Sequence, residues 1–104
     1  MPMFEIAAFT VRPEDEEVLL RERPVMVAAL QRAFPGALAA WLTREEDGSW
    51  LDVILWRTAH EAEAAAREIE QVPEVHQWLG HIAEQKGLRH LTVVHEALWE
   101  LRHV

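Results

Sequence analysis

The chain has 104 residues, half of them hydrophobic and 27% charged, the balance of one soluble globular domain over residues 1–104 rather than of a disordered, fibrous or two-domain protein. Its formal charge of −8, with Lys86 the single lysine, disfavours a nucleic-acid partner; no apolar run approaches the roughly 20 residues of a bilayer span, and "MPMFEIAAF" lacks a basic leader, so the expected location is cytoplasmic with no membrane partner. With no cysteine, disulfides, thiolate nucleophiles and sulfur-ligated metals are excluded together.

The first element, "MFEIAAFTV", predicts a strand with Phe4, Ile6 and Ala8 on one side and Ala7, Phe9 and Val11 on the other, apolar on both faces. Pro13 and the acidic run Glu14 to Glu17 then mark a helix start, where the positive end of the helix dipole favours carboxylates. Pro24 predicts a break and restart of this helix, with Met26, Leu30 and Ala33 as the inward stripe and Pro35-Gly36 as the stop. "ALAAWLTREEDGSWLDVILWRT" predicts an antiparallel hairpin turning at Asp47-Gly48. Thr58 with Glu61 forms a capping box, so a second helix starts near Ala59 and repeats Ala62, Ala65, Ala66 and Ile69 at helical spacing. Pro73 opens a shorter helix with Val75, Trp78, Leu79 and Ile82 inward and Gly80 in its middle, a position that costs about 1 kcal/mol relative to alanine. After Gly87, "LRHLTVVHEALW" predicts the last strand.

The order strand, helix, strand, strand, helix, strand is the α+β, ferredoxin-like split βαβ pattern, a four-stranded antiparallel sheet with its helices on one face. On the third strand Leu51, Val53 and Leu55 alternate with Trp50, Asp52, Ile54 and Trp56, so the face away from the helices is apolar too. A second copy of the sheet is the simplest cover, which predicts a homodimer.

Asp52 and Trp56 lie four residues apart on one side of that strand, about 13 Å along an extended backbone, and are placed to line one cavity. A packed indole and an Asp paired with an arginine near the sheet edge is the alternative for the same two residues. His76 and His81, five residues apart, point roughly 140° from each other on a helix and do not converge on a metal; no metal-ligand motif is present. His90 and His95 fall on opposite faces of the last strand, with His95 on the side of Leu91, Val93 and Ala97, as a core histidine or a proton relay. Trp41, Trp50, Trp78 and Trp99 are core residues or stacking surfaces for a flat ligand.

The hairpin followed by "DVILWRTAHEAEAAA", with "RPVMVAAL…PG" before it and "VPEVHQWLGHI" after it, resembles the antibiotic biosynthesis monooxygenase family of dimeric α+β barrels over nearly the whole chain. The resemblance implies either cofactor-independent oxygenation of a planar phenolic or polycyclic aromatic molecule, or heme binding and degradation, or a non-catalytic dimeric binding module. In the polyketide-oxidising members a strand tryptophan and an asparagine earlier on the same face border the substrate cavity. The matching positions are Trp56 and Asp52, with Asp in place of Asn: a group that only accepts when ionised but can act as the base for a phenol. The heme-degrading members use an asparagine on the first strand, which "FEIAAFTV" lacks, and a histidine on the second helix. Asp52 and Trp56 are thus the catalytic candidates and Trp78, His76 and His95 the substrate-binding ones. No cofactor is expected, with heme as the alternative, because electron-rich phenolates can themselves reduce oxygen.

Overall fold

The computed structural model describes residues 1–99. It has the ferredoxin-like α+β fold, with β1 (Met3–Thr10), α1 (Glu16–Ala33), β2 (Ala37–Arg44), β3 (Trp50–Trp56), α2 (Ala59–Ala66), α3 (Pro73–Leu79) and β4 (Glu84–Thr92). Single 3₁₀ turns at Pro13–Asp15 and Ile69–Gln71 lead into α1 and α3. The antiparallel sheet has the order β2-β3-β1-β4, which puts β3 and β1 in the centre. No helix of the described residues is long and apolar enough to cross a membrane.

Strand alternation divides the sheet into two faces. Trp50, Asp52, Ile54 and Trp56 are buried, and with Met3 and Phe9 they meet Leu19, Met26 and Leu30 of α1, Ala62 and Ala65 of α2 and Val75 and Trp78 of α3. Leu51, Val53 and Leu55 lie on the opposite face, half-buried beside their β1 partners Ala8, Ile6 and Phe4. On that face Trp41 is 48% exposed and its ring meets Phe4 at 6.3 Å.

Local signals hold at several joints. The Thr58 Oγ1 accepts the Glu61 backbone N–H at 3.1 Å, capping α2. Gly48, with φ of 91°, makes the hairpin turn. Four expectations are corrected. The helix α1 runs unbroken through Pro24: its freed Leu20 carbonyl lies on the solvent side, where Leu20 is half exposed and water can satisfy the oxygen, while burial of Leu19, Met26, Ala29 and Leu30 holds the helix on the sheet. Ala33, expected inward, is exposed. Gly80 ends α3 rather than sitting within it.

The last strand is also displaced, to Glu84–Thr92. It ends at Thr92 because its partner runs out: Thr92 lies opposite Met3, where β1 begins, and the Val93 N–H makes one further bond to the Pro2 carbonyl. It starts earlier than its apolar pattern because Glu84 and Gln85 pair with Thr10 and Phe9 through the backbone alone. Lys86 is the extra residue of a bulge between these pairs and Gly87.

Candidate functional site

The two short helices α2 and α3 leave β4 uncovered on the helix side, so Leu88 on that side is 58% exposed. Under this gap lies a cavity of about 490 Å³. Trp56, Ile69, Leu79 and Leu88 form its apolar wall, and Glu5, Gln85 and His90 its polar edge.

The sheet register brings these groups together. Glu5 on β1 lies opposite Ile54 on one side and His90 on the other, so Asp52 and Trp56 are its diagonal neighbours on β3. Glu5 Oε1 and His90 Nε2 are 3.7 Å apart, an ion-pair distance longer than a hydrogen bond. The Trp56 indole N–H is buried with no acceptor at bonding distance among the described residues. Burial pushes the Glu5 carboxyl above the usual glutamate range. The neighbouring His90 opposes this, the Asp52 charge adds to it, and the Trp56 N–H favours the ionised form.

This shift makes stability depend on pH in a defined direction. A carboxyl with a higher pKa folded than unfolded binds more proton in the folded state, between its unfolded value and its raised folded value. The stability it contributes is therefore complete below the ordinary glutamate range and is lost as pH rises through the raised folded value. Urea denaturation of the wild type and Glu5→Gln over a pH series should show the variant gaining on the wild type as pH rises through that window, then a constant difference above it. A gap that instead widened towards acid would contradict the burial of a neutral carboxyl.

Of the residues singled out in the sequence, Trp56 lines the cavity and Asp52 does not. Both face the helices, as alternation requires, but Arg23 Nη2 holds Asp52 Oδ1 at 2.7 Å, each side chain only 11% exposed. The Arg23 guanidinium lies 5.1 Å over the Trp78 ring, and the Trp78 indole N–H donates to the Leu19 carbonyl at 2.9 Å. Phe9 meets Trp78 edge-on at 6.0 Å. Asp52 and Trp78 thus belong to one buried cluster beneath α1. His76 is exposed on α3, and His81 Nε2 lies 2.9 Å from Glu22 Oε1 on the outer side of α1, so neither reaches the cavity as the heme alternative would require. His95 falls beyond β4, exposed, which corrects its placement on a strand face.

The residues missed were Glu5 and Gln85, while His90 was placed on the last strand but not in the site. Glu5 had a visible signal: it is a carboxylate in phase with Ala7 and Phe9 inside a strand apolar on both faces, the same feature that drew attention to Asp52.

No family model matches the sequence, and no curated protein matches it. The fold is found in solved structures. SnoaB from Streptomyces nogalater, a cofactor-independent oxygenase, superposes with a TM-score of 0.68 at 19% identity, over 95% of this chain and 98% of its own. Rv0793 from Mycobacterium tuberculosis gives 0.66 at 20% identity over 94% and 100%. A Caulobacter crescentus CB15 protein provisionally assigned as an antibiotic biosynthesis monooxygenase gives 0.70 at 15% identity over 90% and 91%. Likeness to antibiotic biosynthesis monooxygenase structures therefore extends across nearly the whole chain at the level of the fold.

Proposed function

We propose that two copies of this chain pair through their open sheet faces, and that the cavity beside Trp56 in each binds a planar phenolic or polycyclic aromatic molecule and oxidises it with molecular oxygen, without a cofactor. The observation that carries this reading is the cavity's composition: an apolar wall of Ile69, Leu79, Leu88 and the almost fully enclosed Trp56, facing the part-buried Glu5 carboxylate of raised pKa. An aromatic ring stacks on the wall, and its hydroxyl meets the carboxylate. Similarity of fold to a cofactor-independent oxygenase supports the same reading.

The chemistry asks little of the protein beyond orientation, exclusion of water and removal of a proton. An anthrone-like substrate, once ionised, supplies the electrons itself. Its reactive CH₂ and one O₂ give a carbonyl and one water, one oxygen atom going to each product. Trp56 closes the apolar wall in this scheme. Asp52, tied to Arg23 and backed by Trp78, acts at one remove by fixing β3 against α1 and by placing its charge near Glu5. The sheet face carrying Phe4, Trp41, Val53 and Leu55 is the natural dimer contact, since soluble monomers rarely expose so large an apolar patch.

Oxygen uptake with an anthrone in chelator-treated buffer tests the oxygenase, with light scattering on the same sample. The expected result is one O₂ consumed per substrate at a rate above buffer, in a particle of twice 12.0 kDa. Tight binding of the aromatic with no acceleration would replace the oxygenase by a non-catalytic binding module, and a stable monomer would overturn the pairing of sheet faces.

A further inference from the structure

We infer that Glu5 and His90 form the proton exit of the cavity: Glu5 takes the proton from a phenolic hydroxyl lying against Trp56, and His90 hands it to solvent. This rests on the reading of the cavity as a phenol site and assigns the base within it. Of the two carboxylates on the helix face of the sheet, Asp52 is engaged by Arg23 at 2.7 Å and stands outside the cavity, whereas Glu5 lines it. The Glu5 side chain is 19% exposed and that of His90 48%, so the pair steps from the cavity interior towards water. Their cross-strand opposition on β1 and β4 fixes that direction in the sheet itself.

The Trp56 indole supplies the second half of the arrangement. Its N–H is buried, has no acceptor at hydrogen-bond distance among the described residues and lies beside the Glu5 carboxylate. A hydroxyl placed between them accepts from the indole and donates to Glu5. As the proton leaves, the indole N–H is left bonded to a phenolate oxygen, an interaction stronger with the charged product than with the neutral phenol. The raised pKa of Glu5 narrows the gap to a phenol's acidity and so favours transfer.

The balance is simple. The phenol O–H bond breaks and a Glu5 Oε–H bond forms; that bond breaks in turn as the two side chains close from 3.7 Å to hydrogen-bond distance and His90 Nε2–H forms, and His90 releases a proton to water from its ring. One proton leaves, the phenolate stays, and no electrons move. The charged groups around the pair are Asp52 with its partner Arg23, Glu70 on the cavity wall, and Glu63, which shares a smaller hollow with His90.

The probe is 1,2-dihydroxyanthraquinone, whose visible spectrum changes when it loses a phenolic proton. Bound to the wild type, the dye should ionise about one pH unit or more below its value in buffer, a roughly tenfold larger ionised fraction. Glu5→Gln should keep the dye bound but abolish the shift, and Glu5→Asp should restore part of it. His90→Gln should keep the equilibrium shift yet slow proton release, read with an indicator in weakly buffered solution, by roughly tenfold or more, with rescue by added imidazole. A purely structural histidine would show no such rescue, and its absence would remove His90 from the exit. Unchanged ionisation in a folded Glu5→Gln, or in Glu5→Asp should the first variant not fold, would overturn the base assignment while leaving the binding site standing. Failure of the wild type to bind the dye would overturn both.

Discussion

Asp52→Ala should destabilise the folded chain by about 3–5 kcal/mol, the range for removing one partner of a buried ion pair. The cost comes mainly from what is left behind. The Arg23 side chain is only 11% exposed, its Nη2 bonds Asp52, and its Nη1 already has no partner among the described residues. With the carboxylate gone, the guanidinium keeps only the face of Trp78 at 5.1 Å, worth about 2 kcal/mol at best. Denaturation of three variants separates the contributions: Asp52→Asn retains an acceptor and should lose less, and Arg23→Met combined with Asp52→Leu should recover most of the loss, since an apolar pair of similar volume carries no desolvation penalty. A loss below about 1 kcal/mol for Asp52→Ala would show the pair to be solvated, as exposed ion pairs are. The double variant also settles function. If turnover returns with stability, Asp52 acts through packing; if stability returns and turnover does not, its carboxylate acts in the chemistry itself.

Much of the architecture was legible because it rests on local period. On β3 the strict alternation of Trp50, Asp52, Ile54 and Trp56 with Leu51, Val53 and Leu55 forces two faces, and burial follows that alternation without a slip. Thr58 and Glu61 cap α2 within four residues of chain. The site was less legible because its members meet through register. Glu5 faces His90 and lies diagonally from Trp56 only once β1 is aligned with both β3 and β4, and no local pattern carries that alignment. Arg23 is 29 residues from Asp52, and nothing near Asp52 in sequence names it as the partner. His95 was expected on a strand face because "LRHLTVVHEALW" keeps alternating past Thr92, whereas pairing stops where β1 begins. Pro24 shows the converse, a strong local signal overridden because its lost hydrogen bond falls on the wet side of an otherwise well-buried helix.

Trp56 should show the clearest separation between packing and polarity, through two substitutions with unlike effects. Trp56→Ala removes a side chain only 1% exposed from the contact of β3 with α2 and should cost about 3–5 kcal/mol, while opening the neighbouring 490 Å³ cavity further. Trp56→Phe keeps an aromatic side chain and deletes a buried N–H that has no acceptor at bonding distance among the described residues. The lost volume destabilises, and release of that unsatisfied donor offsets it, so the net change should stay within about 1.5 kcal/mol of the wild type. Ligand binding then reads the donor alone. If a phenolate oxygen accepts from the indole, Trp56→Phe should weaken a hydroxylated anthraquinone by roughly ten- to a hundredfold, the worth of a hydrogen bond to a charged group, and leave an unhydroxylated polycycle of the same outline nearly unaffected. Titration of both ligands against both proteins gives that comparison. Equal weakening of the two ligands would mean that the indole serves as a surface only, and the proton would then have to leave its oxygen with no donor stabilising the anion that remains.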